Sequence, residues 1–294
     1  MKNAQEQGFQ VETSYFSEPQ ETLDPRLFRS GKLIPTVRDG IMAALYGHLN
    51  ALFSSPESWT TVWLAGSGVS YQWAANRTPA DLDCLIGIDY INFRRSNEQF
   101  VRLSDQEIAS MLNEGFREQL QPTTENFLGE YELTFYVNVI SDIRKIKPYA
   151  AYSVTNDDWT VAPSPEAEQF PEDYFKKSDR DIAMAEDIIS RYQESLNAMS
   201  MARNEAARVN ALAYMQLAAK QGRALYEDIH GGRRSAFSPS GGGYADYANF
   251  RWQYAKANGL ISELKSLPDV KPRDLAEMPS AATLIRRAAL HYRT

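Results

Sequence analysis

The chain has 294 residues, 43% hydrophobic and 23% charged, the balance of a globular protein with ample core material. A single cysteine, Cys84, excludes an intrachain disulfide framework and points to a reducing, cytoplasmic setting. A net charge of -7 argues against an extensive duplex-DNA surface, and neither a signal peptide nor a membrane span of about 20 apolar residues is visible.

The charge is uneven. From Arg223 onward eleven basic side chains stand against seven acidic ones, a local +4 that leaves -11 for the rest. A local basic site in the C-terminal part stays open beside plain surface variation.

Residues 1–35 are polar, carry Pro19, Pro25 and Pro35 and show no clear periodicity, so they read as a loosely structured N-terminal arm. From Thr36 to Phe53 the spacing of Val37, Ile41, Leu45, Leu49 and Leu52 predicts an amphipathic helix, and Ser54-Ser55-Pro56 ends it. Thr60–Ala65 reads as a short buried strand that stops at Gly66-Ser67-Gly68, and a helix is expected to start over Val69–Ala75. Asp81–Ile88 is a second strand with Leu82, Cys84 and Ile86 on one face. Ser104–Gln119 is a helix opened by a capping box of Ser104 and Glu107. Glu130–Ile140 alternates most clearly, with Leu133, Phe135, Val137 and Val139 on one side and Glu132, Thr134, Tyr136 and Asn138 on the other. Tyr149–Ala162 is an extended segment or hairpin turning at Asn156-Asp157-Asp158. Pro163, Pro165 and Pro171 mark a boundary. Beyond it the pattern is helical: Asp173–Met199, Arg203–Ile229 with a stop at Gly231-Gly232, Tyr247–Leu267 and Ser280–His291. This gives an α+β organisation in three parts, the arm 1–35, an α/β domain 36–171 and an all-α domain 172–294.

The chemistry concentrates between Leu64 and Ile88. A buried strand delivers Gly66-Ser67 to a turn, where backbone N–H groups and the Ser67 hydroxyl can meet a phosphate. Thirteen residues separate Ser67 from Asp81, and Asp81 and Asp83 sit two apart on a strand, so both project from one face. Paired carboxylates repel one another, and divalent cations relieve that cost. A pair of Mg2+ ions, or Mn2+ in their place, would turn such a face into a phosphoryl-transfer site.

This arrangement resembles the nucleotidyltransferase signature of the DNA polymerase beta superfamily. That signature runs apolar–Gly–Gly/Ser, a gap, then acidic–apolar–acidic–apolar, here Ala65, Gly66, Ser67 and Asp81, Leu82, Asp83, Cys84. The gap lies at the long end of the family's range. The likeness covers residues 60–140, and in outline the chain is similar to small bacterial and phage-type nucleotidyltransferases. It implies a mixed sheet with flanking helices, a following helical domain, and an active site in the cleft between them. It also implies an NTP donor, two metal ions held by Asp81 and Asp83, and a third carboxylate on a neighbouring strand. Glu132 is the choice by strand parity, where the family usually has Asp. Glu130 has the same parity, and Asp142 lies beyond the strand.

Four basic residues are candidates for the nucleotide. Lys220 and Arg223 lie one turn apart, and the resemblance implies a basic residue on the helical domain that holds the triphosphate; a solvated helix face is the plain reading. Arg233 and Arg234 stand in a glycine-rich stretch, 229–244, with His230, Phe237 and Tyr244. That stretch reads as a loop closing over a ligand or as a connection between helices. No Gly-Lys-Ser/Thr makes it a P-loop. Cys84 reads as a buried thiol, and His48 and His291 as surface or inert residues. The acceptor class is open among a small molecule, a nucleotide, an RNA end and a protein. The alternative function is a non-catalytic nucleotide-binding module or interaction protein on the same fold.

Overall fold

The computed structural model describes residues 14–75, 80–166 and 168–267. They fall into two compact units, one over Glu12–Phe170 with Ser235–Asn249, the other over Pro171–Arg234 and from Phe250 on.

The first unit is α/β. In chain order it holds β1 (Phe28–Arg29), β2 (Lys32–Leu33), α1 (Pro35–Leu52), β3 (Thr60–Ala65), β4 (Ala80–Ile88), α2 (Tyr90–Ser96) and α3 (Asp105–Gly115). A short α4 (Gln121–Thr124) comes next, then the strands β5 (Tyr131–Val137), β6 (Ala151–Ser153) and β7 (Asp158–Val161). The main sheet has the order β5-β4-β3-β6-β7. β4 and β5 run parallel, and every other neighbouring pair is antiparallel, so the sheet is mixed. Val37, Ile41, Leu45 and Leu49 of α1 are buried as their spacing predicts. They join Val62, Leu64, Leu82, Cys84, Leu133 and Phe135 from alternate positions of three strands in one core. The capping box of Ser104 and Glu107 opens α3. Of the extended segment and the hairpin left open over Tyr149–Ala162, β6 and β7 form the hairpin, with Asp157 at φ 53° in its turn.

The described part of the N-terminal arm departs from expectation. Leu27, Phe28 and Leu33 are buried in the core, and the Phe28 ring packs on Tyr152 and Trp159. Asp24, almost fully buried, accepts hydrogen bonds from the Tyr131 hydroxyl at 2.7 Å and the Arg26 side chain at 2.9 and 2.7 Å. Apolar residues spaced for a two-residue hairpin carry no helical or long-strand period, which is why this packing leaves little trace in the pattern.

The second unit is helical: α5 (Glu172–Met201), α6 (Glu205–Ala236), α7 (Tyr247–Ala257) and α8 (Leu260–Ser266). Its core gathers Ile188, Tyr192, Leu212, Met215, Ile229, Trp252 and Leu264. Arg251 ties it together, donating to Asp181 at 2.7 and 2.8 Å and to Asp228 at 2.7 Å. The single helix expected over Tyr247–Leu267 is divided at Gly259, whose φ of 77° is the left-handed geometry that ends α7. The helix predicted over Ser280–His291 lies outside the described residues. The whole is α+β, a mixed five-stranded sheet with a helical C-terminal part.

Candidate active site

β3 ends at Ala65, and the chain turns at Gly66 with φ 86° and ψ -165°, a conformation open to glycine. A Cβ at Gly66 would lie 3.4 Å from Asp83 Oδ2, so the backbone of the turn runs directly against that carboxylate. A Cβ at Gly68 would meet the Asp81 carbonyl oxygen at 3.0 Å, which packs the turn onto β4. Ser67–Val69 forms one 3-10 turn, and a second lies at Trp73–Ala75. The α-helix expected over Val69–Ala75 does not form. Gly66 and Gly68 are poor helix formers, and the Ser70 N–H and hydroxyl both bond the Ser67 carbonyl, at 3.0 and 2.9 Å. Ser67 therefore presents its backbone from a tight turn rather than from a helix start.

Strand register then decides the acidic face. In the parallel pair, Asp81 stands opposite Glu132 and Asp83 opposite Thr134; in the antiparallel pair, Asp83 stands opposite Ala65. Residues opposite one another share a face, so Asp81, Asp83, Glu132 and Thr134 all project from the side that Leu82, Cys84, Leu133 and Phe135 do not. Asp83 is exposed, while Asp81 and Glu132 are half-buried. The Thr134 hydroxyl donates to Asp83 Oδ1 at 2.9 Å, and Gln121 Nε2 donates to Glu132 Oε1 at 3.1 Å.

Comparison with known proteins leaves these residues to speak alone. No protein-family model, no curated protein and no solved structure matches this chain.

The other acids have partners elsewhere. Glu130 precedes β5 and forms an ion pair with Arg26, whose guanidinium also lies over the Trp73 and Tyr131 rings. Asp142 caps a 3-10 turn by accepting from the Arg144 N–H at 3.1 Å. Among the described residues no three His, Cys, Asp or Glu side chains are drawn into a group that could hold a metal ion. The donor set still suits a hard divalent cation, since Asp81, Asp83 and Glu132 offer only carboxylate oxygens from neighbouring strands. Closing round an ion would require side-chain adjustment on a fixed backbone.

Cys84 is fully buried, and burial, with the Asp83 charge adding to it, pushes its thiol well above the ordinary value. This is an inert core thiol. His48 is half-buried against Phe116, and burial lowers its pKa. It lines a cavity of about 280 Å³ with Phe53, Met111, Glu114 and Glu118, and none of the β4 and β5 carboxylates borders it. His291 lies outside the described residues.

The four basic candidates all belong to the helical unit, on α6. Lys220, Arg223 and Arg234 are exposed, and Arg233 lies over the Trp252 ring at 5.3 Å. The first half of the stretch 229–244 is helical, because α6 continues through Gly231-Gly232 to Ala236, and the connection expected there is confined to 237–244. Inside a long helix the flanking turns hold two glycines in place at a cost of about 1 kcal/mol each. The segment after Ala236 is tied to the α/β unit. Phe237 packs beside Ile143 and Ile146, Lys147 Nζ donates to the Gly241 carbonyl at 2.6 Å, and the Tyr244 N–H donates to the Lys147 carbonyl at 3.0 Å.

Two polar contacts at the acidic face are not visible in the sequence. Thr134 has the correct parity, but its bond to Asp83 needed the register. Gln121 carries no signal in the chain, because it reaches Glu132 through an irregular helical turn.

Proposed function

We propose that the acidic face of β4 and β5 is the active site of a metal-dependent nucleotidyltransferase, which moves a nucleoside monophosphate from an NTP to an acceptor hydroxyl. The observation that carries this reading is the register that sets Glu132 opposite Asp81 and Asp83 against the Gly66 backbone. Asp81 and Asp83 would hold two Mg2+ ions, with Glu132 sharing one of them. When bound, the ions neutralise the triphosphate and favour ionisation of the attacking hydroxyl. Gly66 and Ser67 offer N–H groups and a hydroxyl to the β- and γ-phosphates. Thr134 holds Asp83 in one orientation through its 2.9 Å bond. The acceptor oxygen bonds the α-phosphorus, the bond from that phosphorus to the bridging oxygen breaks, and pyrophosphate leaves. The hydroxyl proton passes to a Glu132 oxygen and on to water. The acceptor is a small molecule, a nucleotide, an RNA end or a protein. Of the basic candidates on α6, Lys220 and Arg223 remain proposed nucleotide-binding residues.

A second reading, a non-catalytic interaction protein on the same fold, draws on Val209, Tyr214 and Leu217 of α6, which are exposed apolar side chains. No helix among the described residues is long and apolar enough to cross a membrane. Incubation with Mg2+, each α-labelled NTP and a cell extract separates the two. The expected result is a product heavier by one nucleotide. Absence of label transfer from all four NTPs favours the second reading.

A further inference from the structure

Helix α3 passes into α4 through a π-helical turn, Phe116–Leu120, in which the Gln121 N–H bonds the Phe116 carbonyl five residues back. The residues explain the widening. Ile108, Leu112, Phe116, Leu120 and Thr124 recur every fourth position, and all are buried. In a regular helix each four-residue step over-rotates such a stripe by about 40°. A wider turn takes back part of that drift and keeps the stripe on the core. Pro122 assists, since it has no N–H to donate and its ring crowds the carbonyl of Glu118.

The same segment is fastened to β5 at both ends. Asn113 exchanges two hydrogen bonds with Val137, Oδ1 accepting from its N–H at 2.7 Å and Nδ2 donating to its carbonyl at 3.0 Å. Thr124 Oγ1 donates to the Leu133 carbonyl at 2.7 Å. Between these anchors Gln121 Nε2 reaches Glu132 Oε1 at 3.1 Å. The π-helical turn sets which side of the helix Gln121 occupies.

We propose that Gln121 is a positioning residue for Glu132, delivered by the π-helical turn so that this carboxylate is held ready for a divalent cation. The proposal rests on the nucleotidyltransferase reading of the same face. A glutamate carboxyl turns about three side-chain bonds, so a hydrogen bond to one of its oxygens removes freedom that metal binding would otherwise have to remove. The Gln121 amide supplies such a bond and adds no charge of its own. The outer partner of a metal-binding carboxylate orients it, and its loss typically weakens metal binding by about 10–100-fold.

The test is Mn2+ alone, titrated into the full chain and followed by electron paramagnetic resonance. The proteins are the wild type, Gln121→Met, Glu132→Gln and the double variant, with unfolding temperatures measured alongside. Gln121→Met is expected to weaken Mn2+ binding about 10–100-fold at unchanged unfolding temperature. In the Glu132→Gln background the same change is expected to add less than about 2-fold, because the two residues act through one carboxylate. Wild-type affinity in Gln121→Met, or losses that multiply in the double variant, would overturn the positioning role and leave the metal site standing. Wild-type affinity in Glu132→Gln would remove Glu132 from the site and the role of Gln121 with it. If Gln121→Met lowers the unfolding temperature, Gln121→Asn keeps the amide but stops short of Glu132. Weakened Mn2+ binding in that variant at wild-type stability supports the role, and wild-type binding overturns it.

Discussion

On β4 and β5 the chain spends carboxylates on a surface. Asp81, Asp83 and Glu132 project side by side from the face opposite the core, where Thr134 bonds Asp83 and Gln121 bonds Glu132. Between Ala236 and Asn249 the chain does the reverse. The Gly241 and Tyr244 carbonyls, the Tyr244 N–H and the Asp246 carboxylate are all taken up internally by Lys147, Tyr15, Asn249 and Gly242. Both stretches are rich in groups that bind phosphates or metals. The difference is one of setting: the first set projects together from one sheet face, whereas the second is folded back on its own segment and on the residues it packs against.

The sharpest way to break this comparison is at the acidic face. Asp81→Asn and Asp83→Asn are each expected to lower nucleotidyl transfer by about 1000-fold or more, since a lost metal ligand costs several kcal/mol of transition-state stabilisation. Circular dichroism should not change. Near-wild-type turnover in either variant removes the pair from the chemistry.

Glu132→Gln should cost about 100-fold in the same assay. Glu130→Gln should keep full activity and lose less than about 1 kcal/mol of stability, because its pair with Arg26 is half-exposed to water. An inactive Glu130→Gln beside an active Glu132→Gln would place the third carboxylate one step earlier.

At the second stretch the expected effect is on folding. Gly243 has φ 74°, and a Cβ there would sit 2.3 Å from the Lys147 carbonyl oxygen. Gly243→Ala is therefore expected to destabilise the chain by about 2 kcal/mol or more in urea unfolding. Mn2+ affinity should stay put. An unchanged midpoint would mean that this segment is not held as described.

Asp24 offers a smaller contrast, a carboxylate used by the fold alone. Burial acts to raise its pKa, but the hydrogen bonds from Arg26 and Tyr131 outweigh it and the net shift is downward. Its stabilisation is thus complete above the unfolded value near 3.8 and is lost as pH falls through the lower native value. Asp24→Asn should lose stability at neutral pH and less at pH 2, as seen by chemical unfolding at both. Equal losses at the two pH values would deny the linkage.

The smallest effects are expected for Arg233→Ala and Arg234→Ala. Both residues sit in the last turns of α6, so KM for NTP should move less than about 2-fold. Trypsin should cut there slowly with or without Mg2+ and NTP, because a helix resists entry into a protease cleft. Rapid cutting that nucleotide suppresses would restore a closing loop.

Much of the sheet was legible because strand geometry is stiff. Alternation along Tyr131–Val137 fixes which side chains face the core, so Glu132 could be assigned to the other face from parity alone. The stripe Val37, Ile41, Leu45 and Leu49 likewise specified α1. Glycine was a poorer guide. Gly231-Gly232 resembles a stop, yet α6 runs through it, since glycine permits a turn without requiring one.

By itself the sequence determined the faces of the strands, the spacing of Asp81 and Asp83, and the change from α/β to helical character. These depend on periods of 2 and 3.6 residues, which are local properties of the backbone. Only the tertiary structure decided that β4 lies parallel to β5 with Asp81 opposite Glu132, that Glu130 is engaged by Arg26, and that Gln121 reaches Glu132. Each of these joins residues through pairing or packing that no local period encodes. Register is set by the burial of Leu82, Cys84, Leu133 and Phe135 together, and the π-helical turn by a core that holds every fourth residue of one helix.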